Sequence, residues 1–533
     1  MPKNYLILFS VFLFAGLVAC GEVSPVPEAA VEPADDTEDR IVTLLFTNDV
    51  ESAYDPIPAY WLDGIDMIGG IAEMTTLIEN LRASEPNVFL FDSGDIFTGA
   101  LAKLTEGKLS FELMITMGYD AMAIGNHEFE FSVDSFQWEK NRAPFPVLGA
   151  NFFYAGTDHP FAQAHTIIER DGIRIGVIGI MGQDARTAII PSYIAPLDVT
   201  DPAEAVQKSV TALRDQVDLI VLLTHQGKTA PMQTDAETDP RLQRDIDADI
   251  GLADAVEGID VLFAGHADAG TPQAVISPAN GTLIMQTYGQ ATHLGYLQLA
   301  IDGETGEIKK HDGKLIPVES NHLKPDTRIM AKLQQYRDAH ADIFAKVGTI
   351  DGPLIRRYIE ESDMGNLFAD IFAAAGDADI GMAHSGSLRK DIVQGDVRLV
   401  DVLDAYPFVD SVLVKELNGD QIRRALEQSL TFERGLLQLS GLEMTYDLSQ
   451  PKYSRIVSLT RNGKAVMDDE NFTVAAPGFL AEGGDYFTSF AESEVIRDAG
   501  KVSDAIVERF QSHDVVSVPP RGRQWDISES AKE

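Results

Sequence analysis

From Ile41 onward, the chain alternates between short apolar runs and polar or glycine-rich stretches. The apolar runs are continuous rather than alternating, which is typical of strands that are covered on both faces. Helical patterns lie between several of them, at residues 70–82 and 202–216. This order predicts a layered α/β domain with parallel strand pairs. The predicted strands are residues 41–46, 88–91, 173–180, 217–223 and 259–265.

The pattern changes near His322. Residues 323–347 have helical periodicity without a strand signal, which predicts a connecting helix. A second mixed domain is expected at 348–520, with a helix at 420–430 and a turn at Asn462-Gly463. The first domain is therefore expected to span residues 40–322.

Polar side chains follow the predicted strands at the points where the strands end. In open α/β sheets, ligands collect at the carboxyl ends of strands, so these side chains are expected to meet in one place. Acidic groups packed so densely repel one another unless cations hold them, which indicates a metal centre. Asp92, in "DSGD", is expected to cap its turn. The other polar residues are Asp49, Glu51, Asp95, Asn126, His127, Glu128, His225, His266 and Asp268.

These motifs resemble those of the calcineurin-like metallophosphatases, and more closely the two-domain 5'-nucleotidase family, over residues 41 to 515. The family's motifs D-x-H, G-D, G-N-H-E, T-H-x-G and G-H-x-[QTH] map in order onto Asp49/Glu51, Asp95, Asn126/His127, His225 and His266/Asp268. The resemblance implies an N-terminal α/β/β/α sandwich that holds two divalent metal ions. It also implies a smaller α+β domain, joined by a helix, that binds the substrate.

Carried over residue by residue, the resemblance implies that Asp95 bridges the two metal ions. His127, oriented by Glu130, would contact the phosphate and stabilise developing charge. A ligand role for His127 is disfavoured because the adjacent Asn126 would already bind the metal, and a donor to the transition state is its natural role. The remaining ligands implied are Asp49, Glu51 and Asp268 at one site, and Asn126, His225 and His266 at the other.

Glu51 and Asp268 stand where the family pattern has other ligand types. Carboxylate-rich shells favour Mn²⁺, Mg²⁺ or Ca²⁺, whereas imidazoles favour Zn²⁺ and similar ions. We therefore expect an unequal pair, with a hard cation at the Glu51 site and a zinc-like ion at the histidine site. The alternative is that Glu51 turns towards solvent and does not bind a metal.

The second domain carries motifs that resemble the family's nucleotide-binding domain, including "YPFVDSV" and "GFLAEGGDYF". By this resemblance Phe408 and Phe479 sandwich a base, Asp485 receives the ribose hydroxyls and Arg389 meets the phosphate. Stacking on aromatic faces tolerates any base. Three further substrate-binding positions depart from the family pattern and leave the preferred substrate open: Arg357, His384 and Asp410.

The first twenty residues are typical of a secretory signal, with Lys3 before an apolar run that is short for a membrane span. "LVAC" resembles a bacterial lipobox, in which Cys20 becomes the lipidated N-terminus. Cys20 is the one cysteine of the chain, so no disulfide can form within it. Residues 21–39 are acidic and proline-rich, which predicts a disordered tether. The sequence thus predicts a lipid-anchored protein on the periplasmic side of a bacterial membrane.

The net charge of the chain further limits the classes of binding partner. The net charge of -41 disfavours nucleic-acid polymers, because phosphate would be repelled. Two classes of function remain: a metallophosphoesterase acting on nucleotides, and a nucleotide-binding protein that has lost hydrolysis with the replaced ligands. Within the enzyme class, a 2',3'-cyclic-nucleotide phosphodiesterase or a UDP-sugar hydrolase is the alternative. The sequence does not determine the oligomeric state.

Overall fold

The computed structural model describes residues 39–59, 62, 64–228, 245–303 and 305–528. The predicted signal sequence, its Cys20 and the predicted tether up to residue 38 lie outside the described residues. Within the described ranges, no helix combines the length and the apolar character needed to cross a membrane.

Two six-stranded sheets form the centre of the N-terminal domain. In the first, the strand Arg40–Thr47 runs parallel to Val88–Asp92 and antiparallel to His293–Ile301. The strand order of the first sheet is Ile308–Pro317, His293–Ile301, Arg40–Thr47, Val88–Asp92, Ala121–Ala123 and Val147–Leu148. The strand order of the second sheet is Val275–Ile276, Leu283–Met285, Val261–His266, Leu219–Gln226, Ile173–Met181 and His165–Arg170.

The two sheets pack face to face, and helices cover their outer faces. Between the sheets, the rings of Phe46 and Phe263 stack with their centroids 4.1 Å apart. Both faces of the central strands are therefore buried, which explains their continuous apolar sequences. The predicted α/β/β/α layering and the five predicted strands are confirmed. The covering helices are Ile71–Ser84, Gly99–Thr105, Lys108–Met117 and Val133–Arg142 on the first sheet, and Pro202–Leu213 and Asp247–Ala255 on the second.

The connecting helix spans Thr327–Ala339, and the Asp326 carboxylate caps its first turn. Ile329 and Leu333 bury their side chains in the core of the N-terminal domain. A strand, Lys346–Ile350, already begins at the end of the segment that was predicted to be helical. The helix is therefore shorter than the sequence pattern indicates at both ends.

The C-terminal domain is built on a five-stranded and a four-stranded sheet. Asn462 and Gly463 form the predicted turn with φ angles of 51° and 74°, values that a tight hairpin requires. The short strand Gln524–Asp526 pairs with Glu443–Tyr446, so the domain extends beyond the predicted boundary at residue 520. The strand orders are Leu437–Ser440, Ile380–His384, Asn471–Pro477, Ser411–Asn418 and Val495–Lys501, and Lys464–Ala465, Ile456–Arg461, Glu443–Tyr446 and Gln524–Asp526.

Helices and short strands complete both domains. The predicted helix at 420–430 is confirmed as Gly419–Ser429. The other helices are Gln183–Thr187, Pro191–Ile194, Asp363–Ala375, Leu399–Ala405, Gly478–Ala481, Thr488–Ala491 and Val502–Gln511. The remaining short strands are Ile57–Pro58, Met67–Ile68, Phe152–Tyr154, Leu197–Val199, Lys346–Ile350 and Gly395–Arg398.

Candidate active site between the two domains

The carboxyl ends of strands from both sheets bring the polar motifs together. The backbone amide of His266, from the second sheet, donates to Asp49 Oδ2 of the first sheet at 2.8 Å. His225 Nε2 lies 3.0 Å from Asp95 Oδ2 and 3.0 Å from Asn126 Oδ1. The chain turns sharply here, since Asp49, Asp95 and His266 adopt left-handed φ angles of 48°, 61° and 74°.

Among the residues that the structure describes, two groups of side chains offer ligand atoms within 4.8 Å of one another. One group is Asp95, His225 and His266, and the other is Glu51, Asp95 and His127. His266 Nε2 is buried without a hydrogen-bond partner among the described residues. A buried imidazole nitrogen without a hydrogen-bond partner costs free energy, and binding of a metal ion would satisfy its lone pair. The donor set therefore fits divalent cations, and Asp95 belongs to both groups, as expected of a bridging ligand.

The tautomer of His225 is fixed by its neighbour. His225 Nδ1 lies 2.8 Å from the carbonyl oxygen of Ser93, which can only accept, so Nδ1 carries the proton. The other ring nitrogen, Nε2, is thereby directed at Asp95 and Asn126. Such an arrangement is usual for histidines that bind metals.

His127 is held in a network of charged groups. Its Nδ1 makes a very short contact with Glu130 Oε1. Its Nε2 lies 3.2 Å from Glu51 Oε1 and 3.3 Å from Arg389 Nη2. Although burial alone would lower it, the carboxylates of Asp95 and Glu130 raise the pKa of His127 well above its ordinary value. Glu130 therefore occupies the position that the family resemblance implies, from which it can orient the ring of His127.

Glu51 points into the site rather than towards solvent, since its side chain is 6% exposed. Gln290 Nε2 donates to Glu51 Oε2 at 2.5 Å, and Arg389 Nη1 lies 3.6 Å from Glu51 Oε1. Burial raises the pKa of Glu51, but Arg389 and His127 together lower it to about 2. A glutamate in this environment stays ionised and available as a ligand. Asp49 and Asp268 line the same cavity.

Glu128 has a structural role that the sequence reasoning did not assign. Its carboxylate accepts hydrogen bonds from the backbone amides of Gly125, Asp95 and Ile96 at 2.6, 3.0 and 2.9 Å. It therefore ties the loop of Asp95 to the loop of Asn126 and His127. The glutamate of "GNHE" was the available signal, but two of its three partners, Asp95 and Ile96, lie in another loop.

Asp92 caps its turn as predicted. Asp92 Oδ1 accepts from the backbone amide of Gly94 at 2.9 Å, and Oδ2 accepts from Thr47 Oγ1 at 2.6 Å. These contacts occupy both oxygens of the carboxylate. Asp92 thus supports the loop that presents Asp95.

The cavity that holds the metal-ligand candidates is also lined by the C-terminal domain. The Phe408 ring lies nearly parallel to His127, with centroids 6.0 Å apart and an interplanar angle of 23°. Phe479 meets the His384 ring edge-on at 5.7 Å. The C-terminal residues predicted to bind substrate that line the cavity are His384, Arg389, Phe408, Asp410, Phe479 and Asp485.

Asp410 is turned towards the protein backbone. Its Oδ2 accepts from the amide of Phe479 at 3.1 Å and from the Tyr406 hydroxyl at 3.2 Å, and its Oδ1 accepts from the amide of Ser411 at 2.7 Å. Burial raises the pKa of Asp410 to about 6. The carboxylate therefore connects the two aromatic segments of the cavity.

Arg357 is not brought to this cavity. Its side chain is 41% exposed, and Nη1 pairs with Glu360 Oε2 at 3.0 Å. A different arginine, Arg434, lines the cavity with its side chain 9% exposed and Nε 3.5 Å from Asp485 Oδ1. No sequence signal distinguishes Arg434, because it reaches the cavity only through the packing of the turn before Leu437–Ser440.

Comparison with protein families gives two matches that together follow the domain division. The calcineurin-like phosphoesterase profile matches residues 42–267, and the 5'-nucleotidase C-terminal domain profile matches residues 346–492. A 5'-nucleotidase of Vibrio cholerae is 27% identical over 95% of this chain and 98% of its own length. A trifunctional nucleotide phosphoesterase of Bacillus subtilis is 27% identical over 86% of this chain and 33% of its own length.

Solved structures agree on the fold. A 5'-nucleotidase precursor from Thermus thermophilus superposes with a TM-score of 0.79 at 24% identity, covering 91% of this chain and 99% of that one. A sulfate thiohydrolase from the same organism reaches a TM-score of 0.73 at 18% identity, covering 91% of this chain and 96% of its own. The scaffold therefore carries more than one type of hydrolase.

Proposed function

We propose that this chain, whose two domains match the calcineurin-like phosphoesterase and 5'-nucleotidase C-terminal domain profiles, hydrolyses the phosphate ester of nucleotides in the cavity between its domains. One observation carries the proposal. The candidate metal ligands and the candidate base-stacking rings line a single cavity, and Arg389 from the C-terminal domain reaches His127 and Glu51 of the N-terminal domain.

Two divalent cations fit the donor set. Asp95 would contribute to both sites, with Asp49, Glu51 and Asp268 at one and Asn126, His225 and His266 at the other. When bound there, two divalent cations would supply Lewis-acid activation of water and would neutralise charge on the phosphoryl oxygens. The oxygen-rich first site favours Mn²⁺, Mg²⁺ or Ca²⁺, and the imidazoles of the second favour Zn²⁺ or similar ions.

His127 and Arg389 act on the phosphate itself. The Nε2 atom of His127 faces the cavity while Glu130 holds Nδ1, so a protonated His127 can donate to a phosphoryl or leaving oxygen. The guanidinium of Arg389 can bind phosphate oxygens at two nitrogens. Both groups are already near one another, with Arg389 Nη2 3.3 Å from His127 Nε2.

The nucleoside part of the substrate would occupy the C-terminal side of the cavity. We assign base stacking to Phe408 and Phe479, and the sugar hydroxyls to Asp485, with His384 Nε2 at 3.5 Å from Asp485 Oδ2. Asp410 accepts a hydrogen bond from the amide of Phe479 and so would join the aromatic segments, and we assign the role predicted for Arg357 to Arg434, which lines the cavity.

An activity panel tests this function. The purified protein is assayed with Mn²⁺, Zn²⁺ and Mg²⁺ against nucleoside 5'-monophosphates, 2',3'-cyclic nucleotides, UDP-glucose and p-nitrophenyl phosphate. We expect the highest kcat/KM with a nucleoside 5'-monophosphate and loss of activity in a chelator. A protein that binds nucleotides but hydrolyses none of them with any metal would be a binding protein instead.

The N-terminal sequence supports a proposal for the location of the enzyme. We propose that Cys20 is lipidated and holds the protein on the periplasmic side of a bacterial membrane, because "LVAC" follows a secretory apolar run. Hydrolysis of nucleotides outside the cytoplasm would serve nucleotide and phosphate salvage.

A further inference from the structure

The segment that carries Phe408 is held by the other domain. Lys103 Nζ donates to the carbonyl oxygen of Phe408 at 2.8 Å, and the Tyr193 hydroxyl donates to the carbonyl oxygen of Val409 at 2.9 Å. Lys103 lies in the helix Gly99–Thr105 and Tyr193 in the helix Pro191–Ile194 of the N-terminal domain. We call these two donors, Lys103 and Tyr193, the carbonyl clamp.

The clamped segment bears directly on the reaction centre. The Phe408 ring faces His127 at 6.0 Å, and the guanidinium of Arg389 lies 5.5 Å from the Phe408 ring centroid. A shift of the Phe408 carbonyl would therefore move the ring relative to both groups that act on the phosphate.

The second aromatic segment is connected to the same N-terminal helix. The amide and hydroxyl of Ser192 donate to the Glu482 carboxylate at 2.8 and 3.0 Å. Glu482 directly follows the helix Gly478–Ala481, which carries Phe479. The helix Pro191–Ile194 thus contacts both segments that present aromatic rings to the cavity, and Tyr193 itself lines it.

We propose that Lys103 and Tyr193 are positioning residues that set the separation between the base-stacking ring of Phe408 and the reaction centre at His127. This inference rests on the proposed nucleotide hydrolysis. A fixed separation selects substrates by the distance between base and scissile phosphate, and favours a nucleoside monophosphate over a longer diphosphate. Holding the segment in advance also reduces the ordering that binding would otherwise require.

The test removes one hydroxyl. Tyr193→Phe is compared with Tyr154→Phe, a tyrosine of the same domain whose hydroxyl accepts from Gln137 Nε2 at 2.8 Å. A single hydrogen bond is worth about 3- to 10-fold in binding. We expect Tyr193→Phe to raise KM for adenosine 5'-monophosphate by that factor with kcat nearly unchanged, and to affect p-nitrophenyl phosphate hydrolysis less than nucleotide hydrolysis. Tyr154→Phe should change neither substrate.

Selectivity is the readout that a purely structural role would not move. In Tyr193→Phe and Lys103→Met, the kcat/KM of adenosine 5'-diphosphate should rise relative to that of the monophosphate. An unchanged ratio, or equal losses on nucleotide and aryl phosphate, would overturn the positioning role.

A double-mutant cycle then asks whether Tyr193 acts through Phe408. In a Phe408→Ala background, Tyr193→Phe should add less than about a twofold effect, because the ring it positions is gone. Fully additive losses would overturn the clamp while leaving the proposed function intact. A parent protein that hydrolyses the aryl phosphate but no nucleotide would instead overturn the proposed function, and the clamp with it.

Discussion

At the scale of single residues, Glu51 is the departure with the greatest chemical consequence. It stands where the family pattern has a histidine. Its buried carboxylate offers a ligand atom within 4.8 Å of a ligand atom of Asp95, and the positive charge of Arg389 keeps the carboxylate ionised. An anionic oxygen ligand favours harder cations than an imidazole does. It also adds negative charge to the site, and would therefore raise the pKa of a water molecule on a metal ion bound there, compared with a histidine at this position.

Glu51→His is therefore expected to shift the bound metal from Mn²⁺ towards Zn²⁺ at one of the two sites. The measurement is metal content after dialysis against equal concentrations of both ions. Glu319→His, which changes a glutamate that pairs with His322 outside the cavity, is the matched control. Identical metal content in Glu51→His and the parent protein would show that Glu51 is not a ligand.

At the scale of elements, the site depends on how the loops after the strands are tied together. Glu128 accepts three backbone hydrogen bonds from two such loops, whereas the amide of a glutamine offers one acceptor oxygen. Glu128→Gln leaves at least one buried backbone amide without its partner. We expect a loss of about 1–3 kcal/mol in the free energy of unfolding, together with weaker metal binding.

Urea unfolding at pH 8 measures this loss, above the pKa of about 7 to which burial and Asp95 raise the Glu128 carboxyl. The control is Glu106→Gln, whose carboxylate accepts from Ser135 Oγ at the surface and should change stability by less than about 0.5 kcal/mol. Equal stabilities of Glu128→Gln and Glu106→Gln would contradict the tie between the loops.

The elements also show what a sequence can predict. The strands Arg40–Thr47 and Leu219–Gln226 were predictable because burial on both faces demands continuous apolar sequence. The grouping of polar residues followed, because parallel strands end at one edge. The strand Gln524–Asp526 was missed because it is short and lacks an apolar run, so its existence depends on pairing with a distant strand.

Side-chain contacts that form only through tertiary packing could not be predicted from the sequence, for the same reason. Arg357 and Arg434 are the same residue type, and only the packing of the C-terminal domain turns the first outward and the second into the cavity. Lys103 and Tyr193 have no motif, because their partners are backbone carbonyls of the other domain.

At the scale of the whole molecule, the two domains divide the work. His127 and the candidate metal ligands come from the N-terminal domain, whereas Phe408 and Phe479, the proposed base-stacking residues, come from the C-terminal domain. Phe408→Ala and Phe479→Ala are expected to raise KM for nucleotides while p-nitrophenyl phosphate hydrolysis stays nearly intact. His127→Ala should lower kcat on both substrates by about 10²–10⁴, the range for loss of a positioned proton donor. Parallel losses on both substrates in all three variants would contradict this division.

The last prediction concerns where the whole molecule is held. A net charge of -41 repels anionic lipid surfaces, which disfavours electrostatic attachment to a membrane, and we expect a covalent anchor at Cys20 instead. One acyl chain of myristoyl length binds only marginally, whereas a bacterial lipoprotein cysteine carries several chains, enough for stable anchoring. Cys20→Ser is expected to move the protein from the membrane pellet to the soluble fraction without changing kcat/KM. The measurement is activity and protein in both fractions after high-salt washing, with Ser24→Ala as a control that keeps Cys20. A Cys20→Ser protein that still pellets with membranes would rule out Cys20 as the anchor.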